Sequence, residues 1–143
     1  MQSTISKTLD HVLFLAQHLR NLPLHGALIA MLMELRVPLK CSGFEFLRYA
    51  VLLQHENPTR GLANDIYLEV SLHYEQNSEH QVEQAIRDAI RSAWRRGSKR
   101  AWEWYFSYDG KPVLDKPSNG EFISQMAYIL ELWQELRKEG GSS

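Results

Sequence analysis

The sequence predicts an all-α fold, a compact multi-helix domain, and three observations carry that prediction. Apolar residues recur at helical spacing along the chain, and no period-2 segment interrupts them. Three stretches place Glu or Gln three residues after Ser, the form of a capping box: Ser42–Glu45, Ser78–Gln81 and Ser118–Glu121. Pro23, Pro38, Pro58 and Gly97 stand where the periodic segments stop. A chain of 143 residues, 44% hydrophobic and 23% charged, suits one domain built on one core.

The elements follow in order. Leu9, Val12, Leu13, Ala16 and Leu19 obey the i, i+3, i+4, i+7 rule, so an amphipathic helix is expected from about residue 4 to 20, within a unit spanning 1–22. A second helix should run from Leu24 to Arg36, before Pro38, and a third from the Ser42 box to Glu56. A fourth is expected over about Arg60 to Tyr74, burying all or some of Leu62, Ile66, Leu68 and Val70. Glu75, Gln76 and Asn77 read as a turn, after which Ser78 opens a fifth helix. Val82, Ala85, Ile86, Ala89, Ile90, Ala93 and Trp94 form its buried stripe, and Gly97 is expected to end it in a left-handed conformation. A short aromatic helix with Trp102, Trp104, Tyr105 and Phe106 comes next. The last helix should start at the Ser118 box and reach about Arg137, leaving 138–143 as a fraying tail.

Bulk properties exclude several function classes. The net charge is −1 and the sequence pI about 6.6, so any nucleic-acid role must rest on a local patch. Cys41 is the only cysteine, which excludes an internal disulfide or a cysteine zinc cage. No apolar run approaches the roughly 20 residues that span a bilayer, and the first 20 residues lack the plan of a signal peptide. A cytoplasmic protein with no membrane role is therefore expected. His11, His18 and His25 recur every seven residues, but Pro23 interrupts the helix between the last two; solvent-exposed histidines are expected, and no metal. The aromatic residues from Trp94 to Tyr108 read chiefly as core, with Trp102 or Trp104 left for the surface. Nothing has the form of a catalytic triad, a phosphate-binding glycine loop or a paired-carboxylate site, so neither enzyme activity nor a cofactor is expected.

The pattern that carries function is a pair of helices joined by a tight polar turn, at about residues 64–96. The second has small apolar residues inside, where Ala85 and Ala89 would let it sit close to the first, and polar or basic residues outside. That is the form of a helix-turn-helix, and equally that of a structural helical hairpin.

The residues narrow this further. VEQAIRDAIRSAWRRG at Val82–Gly97 resembles the pattern V-E-x-A-I-R-x-A-I-x-x-A-W-x-R-G in the recognition helix of the stage-zero sporulation protein A family. FSY at Phe106–Tyr108, KPSNGEFIS at Lys116–Ser124 and MLMELRVPLKCSGFEFLR at Met31–Arg48 parallel further stretches of that family's C-terminal effector domain. The last of these parallels the family's helix, Gly-Val-Pro, turn, then Gly-Tyr-x-Tyr-Leu-Arg. The resemblance covers about residues 27–132 and implies an all-helical, bacterial, duplex-DNA-binding transcription regulator, often bound as tandem copies, and connected with sporulation. The family's regulators carry a phosphoacceptor receiver domain that the residues before 27 cannot house, so a stand-alone effector with an extra N-terminal helix is expected.

The resemblance also assigns a reading face, and the sequence alters it. Glu83 and Arg87 match the family, whereas Gln81, Gln84 and Asp88 replace residues that are usually basic or histidine there. Glutamine still pairs with adenine edges and glutamate accepts from cytosine N4. Base reading is thus expected from Gln81, Glu83, Gln84 and Arg87, and phosphate contact from Arg91, Arg95, Lys99, Arg100 and Lys116. From Glu79 to Arg100 six basic residues face three acidic ones, a modest positive patch. The competing expectation is a protein-interaction or oligomerisation module that keeps this fold and has given up DNA. In either case the N-terminal helix is too apolar for a free tail; it should pack on the body or on another copy, giving a route to a homodimer.

Overall fold

The computed structural model describes residues 7–58, 64–75, 78–107 and 113–141. Among them are seven helices and no strand: α1 Lys7–His18, α2 Leu24–Glu34, α3 Ser42–Glu56, α4 Asn64–Tyr74, α5 Glu79–Arg96, α6 Lys99–Phe106 and α7 Asn119–Gly141. Leu62, Gln76, Asn77 and Tyr108, to which the sequence assigned helix, turn and motif positions, lie outside the described residues. Helix α3 sits at the centre, packed on α5 and α7, with α4 against both α3 and α5. Leu47, Val51, Ile86, Ile90, Phe122 and Trp133 are buried where these helices meet. In α4, Ile66 and Val70 are buried, while Leu68 points outward and is 43% exposed.

Two of the three capping boxes form. Ser78 Oγ accepts from the Gln81 amide and Gln81 Oε1 accepts from the Ser78 amide, at 3.2 and 3.0 Å. Ser118 and Glu121 repeat the exchange at 3.2 and 2.9 Å. The Ser42 box does not form. Cys41 is the N-cap of α3, so Ser42 is already helical and sits one position too late to cap. The Glu45 carboxylate instead accepts from Arg48 at 2.7 Å.

Gly97 is not left-handed either. Its φ of −82° and ψ of 162° are extended. A Cβ there would lie 2.9 Å from the Ala93 carbonyl and from Trp102 Nε1, so the position needs glycine for closeness, not for handedness. Among the described non-glycine residues, Arg36 at φ 67° and Glu75 at φ 59° are left-handed, each turning the chain after a helix. Helix α7 also outruns its expected end and continues to Gly141.

The extra helix α1 packs on its own chain, against α6 and α7. Val12, Leu15 and Ala16 are buried there; burial stabilises by about 1.5–3 kcal/mol per large aliphatic side chain, before ordering entropy. The Trp133 indole N–H donates to the Leu15 carbonyl at 3.2 Å and pins α1 to α7. Thr8 Oγ1 donates to the Ser107 carbonyl at 3.2 Å, pinning it to the end of α6.

His18 and His25 are exposed as expected, but His11 is only 7% exposed. It stacks on Trp104 with ring centroids 4.3 Å apart, and its Nε2 lies 2.8 Å from Glu34 Oε1. The Tyr105 hydroxyl donates to the same carboxylate oxygen. Burial pushes the Glu34 carboxyl up, but the His11 and Tyr105 hydrogen bonds and the field of His11 pull it further, to a net position below the ordinary value. Tyr105 is held well above its usual range by burial and by that carboxylate, so the phenol keeps its proton and acts as donor. One carboxylate thus ties α1, α2 and α6 together.

Candidate nucleic-acid interface

Helix α5 has the geometry that a groove-reading helix requires. Val82, Ile86, Ala89, Ile90 and Ala93 face inward. Gln81, Gln84, Asp88, Arg91 and Arg95, spaced i, i+3, i+7, i+10 and i+14, form the opposite stripe. Gln81, Asp88, Arg91 and Arg95 are exposed and Gln84 is partly so. Glu83 and Arg87 stand on the shoulder of the helix rather than on its crest, both partly buried. The nine residues singled out from the sequence therefore do not form one surface of equal reach. Lys99 and Arg100 are exposed in the first turn of α6, one short loop beyond the basic end of α5. Lys116 is half-buried, three residues ahead of Asn119 at the start of α7.

The polar side chains of α5 are bonded to one another. Arg87 reaches Glu83 at 2.9 Å and Gln84 Oε1 at 3.4 Å. Gln84 Nε2 donates to Asp88 Oδ1 at 3.1 Å, and Arg91 donates to the same oxygen at 3.1 Å. These are i,i+3 and i,i+4 contacts of the kind that stabilise a helix by a few tenths of a kcal/mol each. Their effect on recognition is larger than their energy. Asp88 neutralises Arg91 locally, and Gln81 already spends its amide oxygen on the Ser78 cap. Arg95, Lys99 and Arg100 carry the outward positive charge at the C-terminal end.

Two residues that the sequence did not single out position this helix. Asn119 Nδ2 donates to the Glu83 carbonyl at 3.1 Å, fixing the start of α7 against α5. The Tyr67 hydroxyl of α4 bonds the Asn119 side chain; burial pushes the phenol above its ordinary pKa and the Glu83 carboxylate adds to this, while the Asn119 bond and the Arg87 guanidinium pull it only part of the way back. Asn119 lay in plain view within the KPSNGEFIS motif, but a motif does not say which backbone atom its asparagine meets.

The close approach expected of Ala85 and Ala89 is made to a different helix. Both meet Gly43 of α3, where an added Cβ would collide with the Ala85 carbonyl and lie 2.8 Å from Ala89 Cβ. The aromatic cluster beyond α5 is interior. Trp102 is 2% exposed, packs edge-on to Trp94 at 5.1 Å and touches Phe106 and Phe122, while Trp104 is half-buried against His11. Trp102 therefore offers no free face for base stacking, and one face of Trp104 is taken by His11.

Among the described residues no group of three or more His, Cys, Asp or Glu side chains could hold a metal ion, and no helix is long and apolar enough to cross a membrane. A family model described as "Sporulation initiation factor Spo0A C terminal" matches residues 28–130, from within α2 to the middle of α7 and including all of α5. Helix α1 lies outside the match. With that match over more than half its length, the chain belongs to the sporulation initiation factor C-terminal family, a family of DNA-binding effector domains.

Proposed function

We propose that this protein is a cytoplasmic DNA-binding transcriptional regulator in which α4, the turn at Glu75 and α5 act as a helix-turn-helix. The observation that carries the reading is the outward stripe of α5, polar throughout and basic at its C-terminal end, directly opposite a fully apolar stripe. In this reading α5 enters the major groove. Gln81 and Gln84 meet base edges from the crest, Glu83 and Arg87 from the shoulder. Arg91, Arg95, Lys99 and Arg100 contact phosphates, with Lys116 as a flanking contact. Leu13 and Phe14, 45% and 47% exposed on the outer face of α1, are the apolar residues through which a second copy would associate. A protein that sediments as a monomer across the concentrations used for DNA binding removes that route.

A second reading, a protein-interaction module on the same fold, is favoured by the mutual bonding of Glu83, Gln84, Arg87, Asp88 and Arg91. DNA has to break that network before it can use the arginines. A salt titration on duplex DNA separates the two readings. Arg87→Ala is expected to weaken binding to a preferred site by about 1–3 kcal/mol while changing nonspecific binding little. Arg95→Ala is expected to weaken binding to every sequence and lower the salt slope by about one. Affinity that is absent, or indifferent to salt, rejects the DNA reading.

A further inference from the structure

A second charged surface lies outside the reading helix. The end of α2, the segment leading to α3 and the end of α5 enclose an open groove of about 370 Å³, lined by Met33, Arg36, Val37, Pro38, Leu39, Lys40 and Arg96. Among the described residues, three cations surround four apolar side chains and no carboxylate lines the groove. In a protein of net charge −1 this is a concentrated departure. The nearest acid in sequence, Glu34, is turned away and held by His11 and Tyr105. Met33 and Leu39 are 48% and 53% exposed, more apolar surface than solvent favours in one place.

Arg36 adds an independent observation. It takes φ 67°, a conformation glycine adopts freely and arginine adopts only at a steric cost. A glycine would take this position at no steric cost, and the residue that stands here and lines the groove is a cation. That conformation closes α2 as a Schellman cap, with the Val37 N–H donating to the Leu32 carbonyl at 3.1 Å and the Arg36 N–H to the Met33 carbonyl at 3.0 Å, so the backbone is explained by the cap and the groove draws only on the charge of the side chain.

We infer that this groove docks an acidic amphipathic helix of a protein partner, its leucine-like anchors resting on Met33, Val37, Pro38 and Leu39 and its carboxylates meeting Arg36, Lys40 and Arg96. A DNA backbone matches the cations but offers nothing to the apolar floor. A helix with apolar residues at i, i+3, i+4 and i+7 and acids beside them matches both. Methionine suits such a floor because it repacks readily. The inference goes beyond the DNA reading and does not depend on it.

The test uses the full chain and a fluorescent peptide of about four helical turns, with leucines at i, i+3, i+4 and i+7 and glutamates between them. The expected result is saturable binding at least about tenfold tighter than for the same peptide with lysines in place of glutamates. Arg36→Gly should raise the melting temperature yet weaken the peptide about three- to tenfold, and Lys40→Gln should weaken it to a similar degree without a stability gain. Opposite signs for stability and binding are not what a merely structural arginine would give. Equal binding of the lysine peptide, or an Arg36→Gly protein that binds as well as the parent, overturns the inference. So does the case in which Arg36→Gly and Lys40→Gln lower the salt slope of DNA binding and leave the peptide unaffected, for the groove is then part of a phosphate path. Arg87→Ala should leave peptide binding unchanged, so loss of DNA recognition and loss of this site are read separately.

Discussion

Gly43→Ala is expected to destabilise the domain by about 3 kcal/mol, the upper end for overpacking a filled contact. Alanine is ordinarily the better residue in a helix, by up to about 1 kcal/mol over glycine. Here the new methyl group would run into the Ala85 carbonyl and crowd Ala89 Cβ, and neither is the free end of a flexible side chain. Relief requires α3 to move off α5, which breaks the central contact of the fold. The clash outweighs the propensity gain. At this chain length the loss corresponds to about 6–12 °C in melting temperature, readable by calorimetry or circular dichroism. A melting temperature equal to or above that of the parent would show that α3 and α5 do not meet at Gly43.

The second large effect concerns recognition. The pair Gln84→Arg with Asp88→His is expected to tighten DNA binding by about 1–3 kcal/mol, roughly fivefold to more than a hundredfold. The salt slope should steepen by about one to two as cations are restored. The structure makes Asp88 the more consequential of the two. Its carboxylate repels phosphate directly, and it also holds Gln84 and Arg91 at 3.1 Å each. Removing it releases a cation that the parent keeps paired on its own helix. Electrophoretic or anisotropy titrations at several salt concentrations give both numbers. If the parent shows no salt-dependent affinity and the double variant does, the fold has been kept and the DNA given up, and the interaction reading prevails. If neither binds, α5 is not a reading helix in this protein.

Ser42, Gly97 and His11 depart from what their local sequence favours for a common reason. Ser42 and Gly97 both carry the right residue for the terminus assigned to them, and at both the local rule was overruled by a neighbour distant in sequence. Gly43 must face Ala85 and Ala89, which fixes the register of α3 so that Cys41 becomes the cap. Gly97 must admit Trp102 and the Leu35 carbonyl, which needs space and not a left-handed turn. His11 looked like one of three surface histidines because its partner, Glu34, is 23 residues away and on another helix.

What the sequence determined by itself is what depends on neighbours within one or two turns. The existence and faces of the helices, the Ser78 and Ser118 capping boxes and the apolar stripe of α5 all follow from residues three or four positions apart, which is the range over which a helix senses its own sequence. The identity of the reading-helix pattern was legible for the same reason, being one contiguous stretch from Val82 to Gly97. The tertiary structure was needed to show that Asn119 and Tyr67, from two other helices, hold α5 in place. It also decided that α1 closes on α6 and α7, and that Arg36, Lys40 and Arg96, 60 positions apart at their extremes, share one groove. Those facts rest on contacts between segments far apart in the chain, and periodicity carries no information about which helix face meets which.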